Sequence, residues 1–206
     1  MSKEGRAVLV LGSGNSLDQR IRLIPNDDFS INSGKTFPEN FADVWTIDKD
    51  PAAKAKITWD LEATTPDGYE LSWPVPEHFF NEVHAYEVLE HLGAMGDYRF
   101  FFALWRKIWR VLKPGGIVCA TTPWWQSVWA WQDPGHRRVY SVELLTYLVQ
   151  KQYEEQVGKT SMTDYRSLWP KPYDFTVLKA EQAGENPLLA GFTFVLQKEG
   201  SFAGTN

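Results

Sequence analysis

Four groups of residues in this sequence have the types and spacing to do chemistry. The stretch "AVLVLGSGNSLD", residues 7–18, runs five apolar residues into Gly12-Ser13-Gly14. Two glycines let backbone approach a ligand closely, and a helix after them would offer free N–H groups; the same pattern also serves as a plain turn. "WTIDKDP" and "ITWDLE" each end an apolar run in an acid, Asp48 and Asp60. A carboxylate at a strand tip can accept both hydroxyls of a ribose, or it can simply fix a turn through local hydrogen bonds. Asp60 admits the same pair of readings, with an exocyclic amine of adenine as its partner. "EVLEHL" supplies Glu87, Glu90 and His91, suited to proton transfer or to the positive end of a helix. "WQDPGHRRVYS" supplies His136, Arg137 and Arg138. His136 could act as a base or hold an acceptor oxygen, and Arg138 could fork onto an anion. The alternative is a turn fixed by Asp133 and Pro134, with its arginines in water.

These residues need elements to hold them. Ala7–Leu11 reads as a strand buried on both faces. Residues 16–24 read as a helix capped by Ser16 and ended by Pro25, and residues 25–41 as a loop. Strands follow at 44–47, 56–59 and 83–86. The strongest element is an amphipathic helix capped by Asp97, with Phe101, Leu104, Trp105, Ile108, Val111 and Leu112 on one face and Pro114-Gly115-Gly116 as its stop. A strand at 117–121, a helix at 141–154 and strands at 175–180 and 192–197 complete one domain over 1–199, with 200–206 as a disordered tail. Such alternation predicts an α/β, doubly wound, mostly parallel sheet of Rossmann-like type. Ligands in such sheets bind at the carboxyl ends of the strands. That rule gathers residues 12–16, Asp48, Asp60 and residues 87–91 into one crevice.

Composition narrows the class. The chain has 206 residues, 43% apolar and 23% charged, with ten Trp, eight Tyr and twelve Phe. A net charge of −5 disfavours a protein that coats nucleic acid or anionic membrane. The single Cys119 cannot form an internal disulfide, and Cys–His zinc spacing is absent, so no metal centre is expected. No signal-like start and no membrane-length apolar window occur, which predicts a cytoplasmic protein. No Gly-Lys-Ser/Thr phosphate loop is present. Arg99, Arg106, Lys107, Arg110 and Lys113 form a basic stripe on the amphipathic helix. It reads as a solvated face or a nucleic-acid contact. Asp48 also lies 34 residues past Gly14, where about 20 is usual in dinucleotide folds.

Taken in order, "VLVLGSGNS", "WTIDKDP", "ITWDLE", "VHAYEVLEHL" and "ALWRKIWRVLKPGGIVCATTP" resemble the motif set of class I S-adenosylmethionine-dependent methyltransferases. The resemblance covers roughly residues 6 to 149, and the "EVLEHL" and "LKPGG" pair is its specific part. It implies a seven-stranded sheet completed by a C-terminal antiparallel hairpin. It implies Gly12, Ser13 and Gly14 under the methionine part of the cofactor, Asp48 on the ribose, and Asp60 with the Leu61 backbone on the adenine. Tyr86 and Glu87 would border the methyl-donor end. His136, His91 and Glu87 become the catalytic candidates, and Trp124, Trp125, His136 and Arg138 the substrate-binding ones. Two positions depart from the pattern: Val10 stands for the usual acid, and Ser16 for a third glycine. The implied reaction is methyl transfer to an oxygen or nitrogen of a small polar acceptor such as a metabolite, saccharide or nucleotide. A nucleic-acid acceptor, suggested by "PWWQSVWAW" and the basic stripe, is the second reading. A binding protein that no longer transfers methyl groups is the third.

Overall fold

The computed structural model describes residues 6–14, 18–23, 29–36, 43–64 and 71–200. The chain begins with β1 (Ala7–Leu11), then β2 (Asp18–Leu23), β3 (Phe29–Thr36), β4 (Asp43–Asp48), β5 (Ile57–Thr58) and β6 (Phe80–Tyr86). The helix α1 (Tyr98–Val111) leads into β7 (Leu112–Pro123). Three short helices follow, α2 (Trp129–Gln132), α3 (Val142–Thr146) and α4 (Gln150–Gln156), before β8 (Phe175–Ala183) and β9 (Gly191–Lys198). Seven strands form one sheet in the order β5-β4-β1-β6-β7-β9-β8. The first five strands in that order are mutually parallel, while β9 runs antiparallel to both β7 and β8. This is the expected α/β architecture with its C-terminal antiparallel pair.

The sequence pattern explains how the sheet is covered. Every residue of β1 is buried, as a central parallel strand requires. Leu9, Leu11, Val83, Ala85, Val118, Ala120 and Phe194 belong to one large core with α1. Trp105 of α1 meets Phe175 and Phe194 at ring distances of 5.8 and 6.3 Å. Asp97 caps α1 as expected, accepting from the Phe100 N–H at 3.0 Å. Alternate residues point the other way, and there β6 carries a polar row. The buried His84 places Nε2 2.8 Å from Glu82 Oε2 and Nδ1 on the Tyr86 hydroxyl. Cys119 lies on this face too, and burial, then the Glu82 charge, pushes its thiol well up, so it is a poor nucleophile.

Three expectations need correction. Residues 18–23, expected in a helix, form a strand paired with β3, which falls in the segment expected to be a loop. The physical signal is period two: Ile21 and Leu23 oppose Ile31 and Phe29, with polar residues between. The expected Ser16 cap lies outside the described residues. The helix expected at 141–154 is broken into α3 and α4. Ser141 caps α3, but the carbonyl of Leu148 is taken by the Trp169 indole at 3.2 Å and the Phe175 N–H at 3.1 Å. Gln150 in turn donates to the carbonyls of Trp169 and Tyr173 at 2.7 and 2.8 Å. Tertiary hydrogen bonds therefore override the helical period. Finally, α1 stops at Val111, before the Pro-Gly-Gly.

Lys198 secures that helix end. Its buried ammonium donates to the carbonyls of Trp109 and Leu112 at 2.8 and 2.7 Å and sits 3.6 Å from the Trp109 ring centroid. Burial pushes its pKa down from 10.5 to about 8. The native state then releases this proton near pH 8, whereas the unfolded chain holds it to about pH 10.5. The cost of burying the charge is complete below pH 8 and relieved as pH rises. Between pH 7.5 and 9.5 the wild type should gain about 1–2 kcal/mol of unfolding free energy relative to Lys198→Met, measured by urea titration. Parallel pH profiles would contradict this.

Candidate functional site

The turn after β1 is built by close backbone approach. Gly12 has φ +57°, and a Cβ there would lie 2.4 Å from Val88 Cγ2. Its N–H donates to the Ile47 carbonyl at 2.8 Å, continuing the β1–β4 ladder. Gly14, at φ +52°, has open space where a side chain would be, and its N–H donates to Asp48 Oδ2 at 2.8 Å. Asp48 Oδ1 accepts from the Asp50 N–H at 2.9 Å. One carboxylate thus ties the glycine turn to the tip of β4. Asp60 Oδ1 fixes the next turn by accepting from the Glu62 N–H at 2.9 Å. The Leu61 carbonyl is held from beneath by the Trp73 indole and the Lys107 ammonium, each at 3.5 Å. At the end of β6, Glu87 sits in the left-handed region at φ +52°. Such strain in a non-glycine residue costs about 1–3 kcal/mol and gathers at functional sites.

These strand ends surround a cavity of about 580 Å³. That is the size of a small-molecule or cofactor site. Trp59, Leu61, Val88 and Leu92 give it apolar walls. Asp48, Asp60, Glu62 and Glu87 face it with four carboxylates against the two cations Lys49 and Arg137. Its electrostatics favour a positively charged guest. The segment 133–138 forms one wall by docking on the turn Leu89–His91. The N–H groups of Arg137 and Arg138 donate to the Glu90 carbonyl at 2.8 and 3.0 Å. His91 Nδ1 lies 3.0 Å from the Gly135 carbonyl, and Arg137 Nε donates to the His91 carbonyl at 2.8 Å. Arg137 also pairs with Glu62, whose other oxygen accepts from the Gly93 N–H at 2.8 Å.

Gly12, Asp48, Asp60, Leu61, Glu87 and His91 meet at this cavity, with Ser13 and Gly14 in the adjoining turn. Other expected site residues stand apart from its walls. Tyr86 points to the opposite face of β6 and onto His84. His136 stands behind His91, the ring centroids 4.6 Å apart. Arg138 is buried, donating to the carbonyls of Ala94 and Asp97 at 2.7 Å each, over the Phe101 ring. Trp124 packs on Phe192 at 5.4 Å, and Trp125 is exposed with its carbonyl on the Trp131 indole. The basic stripe also resolves differently. Lys107 is buried, Arg106 donates to the Leu168 carbonyl at 2.6 Å and Arg110 to the Tyr173 hydroxyl at 3.0 Å, so these three are neither a solvated face nor a free one. Sequence reading missed Trp59, Glu62 and Arg137 as lining residues. Trp59 and Glu62 flank Asp60 and Leu61, which was the available signal.

No family model and no curated protein matches the chain. Solved structures do match. A SAM-dependent methyltransferase from Archaeoglobus fulgidus is 14% identical, with a TM-score of 0.50, over 95% of this chain and 87% of that one. The fold is that of the class I methyltransferases. The N-methyltransferase NodS from Bradyrhizobium japonicum WM9, in complex with S-adenosyl-L-homocysteine, is 13% identical, with a TM-score of 0.49, over 94% of this chain and 78% of that one. A 1,6-didemethyltoxoflavin-N1-methyltransferase from Burkholderia thailandensis is 13% identical, with a TM-score of 0.48, over 95% and 72%. Among the described residues no helix is long and apolar enough to cross a membrane.

The two glycines of the methyltransferase-fold turn should differ in what they tolerate. Gly14→Ala meets only the left-handed backbone cost, about 1–2 kcal/mol. Gly12→Ala adds a clash with Val88, for roughly 2–4 kcal/mol in total. Urea unfolding of both variants checks the order; equal losses would contradict the packing described for Gly12.

Proposed function

We propose that the cavity binds S-adenosylmethionine and that the protein transfers its methyl group to an oxygen or nitrogen of a small polar acceptor. The observation that carries this reading is the placement of Asp48, held between the Gly14 and Asp50 N–H groups at the edge of an acid-lined cavity. Each of its oxygens has acceptor capacity left for a ribose hydroxyl. Asp60 and the backbone at Leu61 would take the polar edge of the adenine, with Trp59, Val88 and Leu92 against its faces. The bare backbone of Gly12, Ser13 and Gly14 would lie along the amino-acid part.

When bound, the cofactor supplies an activated methyl group on a cationic sulfur. The four carboxylates around the cavity favour that charge. The protein's own task is then mostly positioning. Glu87, with its left-handed backbone, and His91, whose Nδ1 lies 3.0 Å from the Gly135 carbonyl, would be the groups to take an acceptor proton. His136 would act through His91, which it contacts. The wall made by 133–138 limits water on that side, and its Arg137–Glu62 pair ties it to the turn after β5. The acidic cavity and net charge of −5 favour a small acceptor over a polyanion. Trp125 and, in α2, Trp129 and Trp131 are exposed and favour an acceptor that carries a flat ring.

Calorimetric titration with S-adenosylhomocysteine tests the site. The wild type should bind, and Asp48→Ala should bind at least about tenfold more weakly, or ~1.4 kcal/mol. Equal affinity in the two proteins would remove Asp48 from the site, and no binding at millimolar ligand would remove the cofactor.

A further inference from the structure

A second chemistry lies against the wall of this cavity. Glu90, His91 and His136 each offer one ligand atom, and these atoms all lie within 4.8 Å of one another. Glu90 and His91 come from the turn after β6, and His136 from the docked segment 133–138. The backbone hydrogen bonds from Arg137 and Arg138 to the Glu90 carbonyl hold the two pieces in register.

The imidazoles are oriented as metal ligands are. His91 Nδ1 lies 3.0 Å from the Gly135 carbonyl oxygen, and His136 Nδ1 lies 2.7 Å from that of Trp129. A carbonyl oxygen only accepts, so each Nδ1 carries the proton and each Nε2 presents its lone pair. A backbone carbonyl on the far nitrogen is the usual means of fixing the tautomer and ring plane of a ligating histidine. The two rings pack edge to face, their centroids 4.6 Å apart at 71°. The Glu90 carboxylate beside them is only 2% exposed, an environment in which a carboxylate gains from a cation. Asp133 Oδ2 lies 3.9 Å from His136 Nε2.

We infer that Glu90, His91 and His136 form a binding site for a divalent transition-metal ion, zinc in the first instance. Two imidazole nitrogens and a carboxylate suit zinc, and three protein ligands leave a coordination position open. Of the three residues His91 also lines the cavity. A water or an acceptor hydroxyl held at the open position would lose its proton more readily. The absence of Cys–His spacing concealed the site, because its donors sit on separate elements far apart in the sequence. The site stands whether or not the cavity takes the proposed cofactor.

The test uses the full chain, stripped with EDTA and titrated with zinc chloride by calorimetry. One ion per chain is expected, with affinity reduced at least tenfold in both His91→Ala and His136→Ala. Asp48→Ala should keep the zinc affinity of wild type while losing that for S-adenosylhomocysteine, so the metal and cofactor readings fail separately. X-ray absorption on the zinc-loaded wild type needs no variant and should show two imidazoles with oxygen in the first shell. No saturable zinc binding, unchanged affinity in either folded histidine variant, or a first shell without imidazole would each overturn the proposal.

Discussion

The cavity exists because the chain leaving β1 can pass almost in contact with the chain leaving β6. Gly12 lies against Val88 with no room for a Cβ, and its left-handed backbone turns the chain across the strand ends. From that contact the rest follows. The turn at Leu89–His91 begins immediately beyond Val88, and the segment 133–138 hangs from that turn by hydrogen bonds to the Glu90 and His91 carbonyls. On the other side, Asp48 binds the Gly14 N–H and so keeps β4 level with β1. A bulkier residue at position 12 would separate two strand ends, a turn and a wall at once.

Charge is arranged around this frame by depth. Two buried cations are held by backbone: Lys198 by the carbonyls of Trp109 and Leu112, Arg138 by those of Ala94 and Asp97. Asp48, Asp60, Glu62 and Glu87 are left at the cavity, where water or a cation can reach them. Arg137 bridges the two sets, pairing with Glu62 and donating to the His91 carbonyl. The result is a scaffold with an acidic mouth, the property on which the proposed binding of a cationic cofactor rests.

Much of the sheet was legible because its signals are local. Apolar runs ending in Gly12, Asp48 and Asp60 marked strands, and α1 announced itself by its period and its Asp97 cap. Elements decided by distant partners were not legible. Nothing near Leu148 reveals that Trp169 and Phe175 will take its carbonyl. Adjacent arginines at 137 and 138 look alike, and only the packing of Phe101 and the carbonyls of Ala94 and Asp97 sends one inward. Tyr86 could have been placed correctly by parity, since Val83 and Ala85 are core residues on the opposite face of the same strand. The grouping of Glu90, His91 and His136 needed the docked segment to be seen.

A crystal structure grown with S-adenosylhomocysteine tests the central claim most directly. The account predicts ligand density in this cavity, with the ribose hydroxyls on Asp48 and the adenine edge beside Asp60 and Leu61. Density elsewhere, or a cavity still filled only by water at millimolar ligand, would contradict it.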